Sequence, residues 1–362
     1  MRIAPVLADP NESRVLVSLD SGKEIELWME ADVPLDKKND CWLFLMLPVG
    51  MMLGEDIEVL GTISSTAISA FYSAQEELLE AHPHLTKIKF NTEKATVETI
   101  AIKKAKGVGS FFSGGLDSVH TAETVKEIDT LIGVWGFDIS VTNEKHWKLT
   151  TGILEELAKG MKKKLVLVKT NIRDLSNGLL SWGRDYHGPA MAGLAIALSN
   201  HVSKVYVSAS HIEETKRWGQ FPSLSKSFST DHQEIIEYGA IVRTEKALAL
   251  GKEPSAKLLR VCYRNKTAKA NCGECQKCMR TRLEFSLINS PFRPVGLETQ
   301  PTLLEIMKIK ILKNDFAFFK NSIYWARDSG YPKTLLPLMA ISLARLNSIV
   351  YYFRYPEKKS KT

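Results

Sequence analysis

The sequence lacks several features whose absence narrows its reading. No apolar run is long enough to span a bilayer: the longest, residues 41–54, is interrupted by Pro48. The opening Met1-Arg2-Ile3-Ala4-Pro5 leads into a polar stretch without the apolar centre of a secretory signal, so a cytoplasmic location and no membrane partner are expected. There is no internal repeat and no low-complexity segment, which argues against solenoids and disordered tails as the main architecture. No Gly-rich segment ends in the Lys-Ser/Thr pair of a Walker loop, and the dinucleotide fingerprint Gly-x-Gly-x-x-Gly is missing. No thiol sits where a glutaminase nucleophile is expected, since the chain starts Met1-Arg2 and Cys41 lies inside an apolar run. Acidic residues are in deficit, 41 against 48 Lys and Arg, giving a formal net charge of +7. Part of that excess is Lys358-Lys359-Ser360-Lys361, which reads as a solvated tail, so nucleic-acid binding is disfavoured. Only five cysteines occur in 362 residues, and four of them cluster.

What is present suits a globular chain with a full core, at 44% hydrophobic and 25% charged residues. Residues 1–103 read as an N-terminal α+β module. Alternating or apolar runs predict strands at 15–19, 24–29, 41–47, 57–60, 85–90 and 96–102, and a helix at 64–81. His82 and His84, on either side of Pro83, read as turn residues at the end of that helix. Residues 104–290 alternate strand and helix. Strands are predicted at 108–112, 131–137, 164–168 and 204–208, with helices at 117–128, 144–160 and 188–200. This pattern indicates an α/β fold with a doubly wound parallel sheet, whose ligands bind beyond the carboxyl ends of the strands. Asp138, Ser140, Thr170, Asn171, Ser210 and His211 would all lie at that edge. Residues 291–362 form a helical C-terminal region with a basic tail. Its aromatics, Phe316, Phe318, Phe319, Tyr324 and Trp325, read as core more than as a stacking platform.

The stretch Ser113-Gly114-Gly115-Leu116-Asp117-Ser118 follows a predicted strand and opens a predicted helix. Such a turn is an anion site: backbone N–H groups and the helix dipole favour negative charge, and the glycines allow close approach of a phosphate. Ser113 and Ser118 add hydroxyls, and Asp117 either caps the helix or holds a cation between phosphates. Candidate cations for phosphate are Arg184, Lys216, Arg217, Arg243 and Lys246, and no spacing argument chooses among them. His211 is either a general base or a hydrogen-bonded loop histidine.

The cysteines are Cys262, then Cys272-Gly273-Glu274-Cys275-Gln276-Lys277-Cys278. Four thiolates at these spacings suit a closed tetrahedral Zn²⁺ site with a structural role, and an iron–sulfur cluster is the competing reading. Cys41, alone in its apolar run, reads as a buried small hydrophobe.

The Ser113–Ser118 motif resembles the pyrophosphate-binding loop of the PP-loop ATP pyrophosphatases, which have a HUP-like fold. The resemblance implies ATP and Mg²⁺ as cofactors. It makes Ser113, Gly114, Gly115, Leu116, Asp117 and Ser118 ATP contacts, with Ser113, Asp117 and Ser118 catalytic, and sets Gly136, Phe137 and Asp138 against adenine. Loop and cysteines together, over roughly residues 105–285, resemble the 7-cyano-7-deazaguanine synthase family. The matching loop there lines the substrate pocket, which makes Arg184, Asp185 and His187 candidate substrate contacts; ordinary loop capping is the alternative. Lys246 is a further substrate-side candidate. Residues 229–246 do not match the synthase closely, and the long chain is more similar to paralogues from bacterial antiphage operons.

The function this implies is ATP-dependent adenylation of a carboxylate on a 7-deazaguanine-type substrate, releasing pyrophosphate. A nitrogen nucleophile then attacks: ammonia, giving amide and nitrile, or an amine on a small acceptor protein in antiphage defence. Alternatives are a PP-loop tRNA-modifying enzyme and a non-catalytic nucleotide-binding subunit of a defence complex. Candidate partners are the small-molecule substrate, the acceptor or operon protein, and a second copy of the chain as a homodimer.

Overall fold

A computed structural model describes residues 1–99, 105, 107–210, 217–265, 269–311, 313–331 and 333–354. Three strands open the chain as an antiparallel meander: β1 (Arg2–Val6), β2 (Glu12–Ser18) and β3 (Glu24–Ala31). Then come α1 (Asp40–Leu53), β4 (Ile57–Val59), β5 (Gly61–Ser64), α2 (Ser65–Ala81), β6 (Phe90–Asn91) and β7 (Ala95–Glu98). The central segment holds β8 (Gly107–Phe111), α3 (Leu116–Thr124), β9 (Thr130–Trp135), α4 (Glu144–Met161) and β10 (Lys164–Thr170). It continues with α5 (Arg173–Ser176), α6 (His187–Ala197), β11 (Val202–Ser208), α7 (Pro222–Ser227) and β12 (Glu234–Tyr238). Helices close the chain: α8 (Arg243–Leu250), α9 (Gln276–Leu287), α10 (Leu303–Met307), α11 (Lys313–Asp328) and α12 (Leu335–Arg354).

The fold is α/β with a mostly parallel sheet. Its order is β12-β11-β8-β9-β10-β3-β2-β1-β4-β6. The block β12-β11-β8-β9-β10 is parallel throughout, and β3 joins it antiparallel to β10. The N-terminal meander therefore shares one sheet with the central strands. From β8 the chain builds β9 and β10 on one side, then crosses to β11 and β12 on the other. The strand order thus reverses at β8, and in open α/β sheets the crevice at such a reversal is where ligands bind.

Two compact units divide the chain: residues 1–113, 121–147 and 161–240 in one, and residues 114–120, 148–160 and 241–362 in the other. The first is built on a core that includes Ile3, Val17, Leu27, Trp42, Phe44 and Phe71. The second packs Met279, Leu283, Ile306, Phe319, Ile323 and Ile341. Of the C-terminal aromatics, Phe319 is fully buried and Phe316 and Trp325 pack against this core. Phe318 and Tyr324 instead lie under the cationic heads of Arg280 and Arg327.

Residues 41–47, expected as a strand, are the first two turns of α1. Every residue from Asp40 to Met51 is buried. An apolar run enclosed on all sides shows neither a two-residue nor a 3.6-residue period, so its pattern could not tell strand from helix. α1 packs against α6, where Gly193 makes room: a Cβ there would lie 2.5 Å from Leu45 Cγ. Asp40, at the start of α1, accepts hydrogen bonds from Ser64 N at 2.8 Å and Ser64 Oγ at 2.7 Å. Burial raises the pKa of its carboxyl, against the effect of those bonds. Ser64 Oγ in turn accepts from Ala67 N at 3.1 Å and caps α2, so one polar pair starts two helices.

The expected strand at 85–90 shrinks to Phe90–Asn91. Gln75 on α2 takes the place of a neighbouring strand: Ile88 N donates to its Oε1 at 2.7 Å and its Nε2 donates to Ile88 O at 3.1 Å. β7 covers the start of the expected 96–102 strand, and residues 100–102 lie outside the described residues.

Leu45→Ala is expected to destabilise the protein by about 2–5 kcal/mol, because the fully enclosed site against α6 cannot collapse around the void. Equilibrium denaturant unfolding measures this. A loss below about 1 kcal/mol would show that the α1–α6 contact is not the packed centre of its unit.

Candidate functional site

The loop after β8 is built tightly. Phe112 N donates to Ile132 O at 2.7 Å, carrying the β8–β9 pairing one residue past the strand. The chain then turns at Gly114, whose φ of +72° is a conformation L side chains avoid. Arg260 N donates to Gly114 O at 2.8 Å, and Ser118 Oγ donates to Gly115 O at 3.1 Å. α3 starts at Leu116, so Asp117 sits in its first turn.

Asp117 is the centre of a charge cluster. Lys246 Nζ donates to its Oδ1 at 2.8 Å, and Arg243 donates to its Oδ2. Both cations are almost wholly buried, at 1% and 7% side-chain exposure. They lie three residues apart on α8 and so share a face. Behind them, on α9, Glu284 is fully enclosed: Ser322 Oγ donates to its Oε1 at 3.1 Å, with Arg243 Nε at 3.4 Å and Arg280 Nε at 3.8 Å. Burial alone would raise the carboxyl pKa of Asp117; Arg243 and Lys246 outweigh it and hold that pKa well below the usual carboxylate range. Burial, with the charge of Lys246, lowers the pKa of His120 to about 4, so its ring is neutral. Arg280 is lowered by burial and by Arg243 to about 10 and stays charged. Asp117 and Glu284 meet these three cations directly, and the charge of Asp315 also acts on Arg280.

The structure therefore separates the five cations the sequence left equivalent. Arg243 and Lys246 meet Asp117. Arg217 meets Glu80 at 2.7 Å and Glu77 at 3.9 Å. Arg184 meets Asp185, and Lys216 and His211 lie outside the described residues. Sequence reasoning missed Glu284, although its i,i+4 spacing from Arg280 was a usable sign of a charge pair.

After β9 the backbone is crowded. Gly136 has φ +114°, and a Cβ there would lie 1.9 Å from Thr170 O. Arg173 donates to Phe137 O at 2.7 Å and lies over the Trp182 ring at 4.6 Å, while Trp182 meets Phe137 edge-on at 4.8 Å. Asp138 is exposed. Thr170 and Asn171, expected at the ligand edge, are committed to the sheet. Asn171 bonds Trp28 N and Glu26 O, and Thr170 Oγ1 donates to Trp28 O.

Trp182–Tyr186 is a single π-helical turn leading into α6. Asp185 is fully enclosed and its carboxylate is taken up within the protein. It accepts from Arg184 Nε at 2.7 Å, Arg184 Nη2 at 3.0 Å and Ser181 N at 2.9 Å, and His84 Nε2 lies 3.2 Å away. Asp185, a candidate substrate contact, thus holds Arg184 in place, and Arg184 stays 44% exposed. His84 is accordingly more than a turn residue. His187 starts α6 with its ring against Trp182 at 5.5 Å.

The four clustered cysteines converge, with all four sulfurs within 4.8 Å of one another. Cys272 and Cys278 Sγ are 3.8 Å apart, and Cys275 and Cys262 Sγ 3.9 Å. Tetrahedral sulfurs about 2.3 Å from one ion lie about 3.8 Å from each other, so the set fits a single ion such as zinc. A multi-iron cluster holds its cysteine sulfurs much farther apart. Cys275 N donates to Cys272 Sγ at 3.2 Å and Cys278 N to Cys275 Sγ at 3.5 Å, as suits thiolate ligands. Cys41 is buried and unpaired, and burial raises its thiol pKa strongly, which makes it an inert core residue.

Comparison with protein-family models, with curated proteins and with solved structures finds no match. Fold and sites alone define the class: an α/β protein with four cysteines placed to hold one metal ion and a buried cluster of ion pairs at a Gly-Gly turn.

Two outcomes follow. Metal analysis of purified protein is expected to find about one zinc per chain, and Cys275→Ser to abolish it and lower the melting temperature. Asp117→Ala is expected to cost about 3–5 kcal/mol of stability, because it removes the carboxylate that meets both buried cations, Arg243 and Lys246. Denaturant melts that superimpose on wild type would rule that out.

Proposed function

We propose that the protein is an ATP-dependent ligase of the PP-loop type. It adenylates a carboxylate on a 7-deazaguanine-type substrate and passes the acyl group to nitrogen. The observation that carries this reading is the convergence of Arg243 and Lys246, both buried, on the aspartate of the Ser-Gly-Gly-Leu-Asp-Ser turn. Two buried cations that meet at a helix start suit a polyphosphate.

In this reading the turn at residues 113–118 binds the β- and γ-phosphates. Gly114 supplies the close approach, and Arg243 and Lys246 neutralise negative charge that grows on the leaving pyrophosphate. Mg²⁺, when bound beside Asp117, adds charge neutralisation of the same kind. A substrate carboxylate oxygen bonds to the α-phosphorus as the bond to the pyrophosphate oxygen breaks. Pyrophosphate leaves with that electron pair. The acyl adenylate then accepts a nitrogen lone pair at its carbonyl carbon, and AMP departs. Arg184, held in orientation by Asp185 and His84, is the cation offered to the substrate acid. The resemblance of the turn at residues 113–118 to PP-loop enzymes sets Gly136, Phe137 and Asp138 against adenine.

Zinc is assigned a structural role. Cys275 caps α9, and Cys278 lies in its first turn. The same helix carries Arg280 and Glu284, so the ion fixes the helix that supports the cation cluster.

The test is incubation of the full chain with ATP and 7-carboxy-7-deazaguanine. AMP and pyrophosphate are expected only when the acid is present. Lys246→Met is expected to lower turnover by about 10²-fold or more. Turnover that depends on tRNA would sink the reading in favour of an RNA-modifying enzyme. Nucleotide binding without any turnover would favour a sensing subunit.

A further inference from the structure

α12 presents an apolar face that nothing among the described residues covers. Leu336, Met339, Leu343, Leu346 and Val350 are 58%, 55%, 43%, 58% and 51% exposed, and Leu335 before them is 67% exposed. The five recur at alternating intervals of three and four residues, which aligns them along one side of the helix. The opposite side is already used: Ala340, Ile341 and Ala344 are buried in the core of their own unit, and Ser348 donates to Ala344 O at 2.7 Å.

The face carries no charge. Arg345, the one charged residue between Leu335 and Val350, turns inward and donates to Ile311 O at 2.8 Å. A partner of either charge would gain nothing there. The basic Arg354 and Lys358-Lys359-Ser360-Lys361 segment follows the stripe in sequence instead of flanking it along the helix, so an anionic lipid surface is the competing occupant that vesicle binding tests. Soluble monomers rarely leave a stripe of this length bare.

We propose that α12 pairs antiparallel with α12 of a second copy of this chain, about a two-fold axis at Leu343. The stripe is self-complementary. Leu336 and Val350 each lie seven residues from Leu343, so the axis sets Leu336 against Val350 of the partner subunit. Leu343 meets Leu343 of the partner subunit. Met339 and Leu346 fill the gaps between them. The exposed side chains supply roughly 500–600 Å² per copy, so a pair removes about 1,000–1,200 Å² from water, the range at which specific interfaces begin. A closed two-fold pair consumes the whole stripe and leaves no face for further growth.

Analytical ultracentrifugation of the full chain tests this. Wild type is expected to sediment at twice the 40.5 kDa chain mass. Leu343→Glu sets two carboxylates against each other at the axis and is expected to weaken the dimer at least about 100-fold, with an unchanged circular dichroism spectrum. Leu343→Cys is expected to form an intermolecular disulfide on mild oxidation. A wild-type monomer at high micromolar concentration would overturn the proposal, as would a Leu343→Glu dimer of undiminished stability or a Leu343→Cys chain that fails to cross-link. Co-sedimentation of monomeric wild type with anionic vesicles would overturn it in favour of a lipid surface. None of these readouts depends on the ligase assignment.

Discussion

Burying a charge is the constraint around which the C-terminal unit is arranged. Taking an ammonium or guanidinium out of water costs several kcal/mol unless a partner of opposite charge meets it with good geometry. Arg243, Lys246 and Arg280 all incur that cost, and two carboxylates, Asp117 and Glu284, answer them. The groups come from three separate parts of the chain, the first turn of α3, then α8, then α9, and Ser322 of α11 adds a hydrogen bond to Glu284. The packing of four segments is thus conditional on a few ion pairs.

α9 joins this cluster to the metal-binding cysteines. Its N-terminal turn holds Cys275 and Cys278, and its next turns hold Arg280 and Glu284. The cysteines that could hold a metal ion and the ion pairs thus act on one short helix, which also packs Met279, Leu283 and Leu287 into the apolar core. The N-terminal unit works differently. Its turns at Gly136 and Asp185 are fixed by a close backbone carbonyl and by hydrogen bonds to an enclosed carboxylate.

What could be read from sequence follows from how local each feature is. The Ser-Gly-Gly turn and the cysteine set were legible because their chemistry needs residues close together in the chain. The strands β2 and β3 were legible because one face of each is distinct from the other, and β8–β11 because they are short apolar runs set between helical patterns. α1 was not, because a helix enclosed all round has no polar face to show its period. The choice of Arg243 and Lys246 among five cations was equally hidden, since Asp117 lies over 120 residues away from both. The same distance hid His84 from Asp185, and it hid the joining of the N-terminal meander to β10. Non-local contacts leave no mark in a window of sequence.

That meander sets a schedule for biosynthesis. α1 emerges early and is apolar on every side, yet α6, the helix that covers it, is made roughly 130 residues later. β3 likewise waits for β10 before its second edge is paired. At ordinary translation rates these delays are on the order of 10 s. For that interval a greasy helix and an open strand edge hang from the ribosome. Slow elongation therefore works against this chain, and holding factors at the exit tunnel have a well-defined segment to guard.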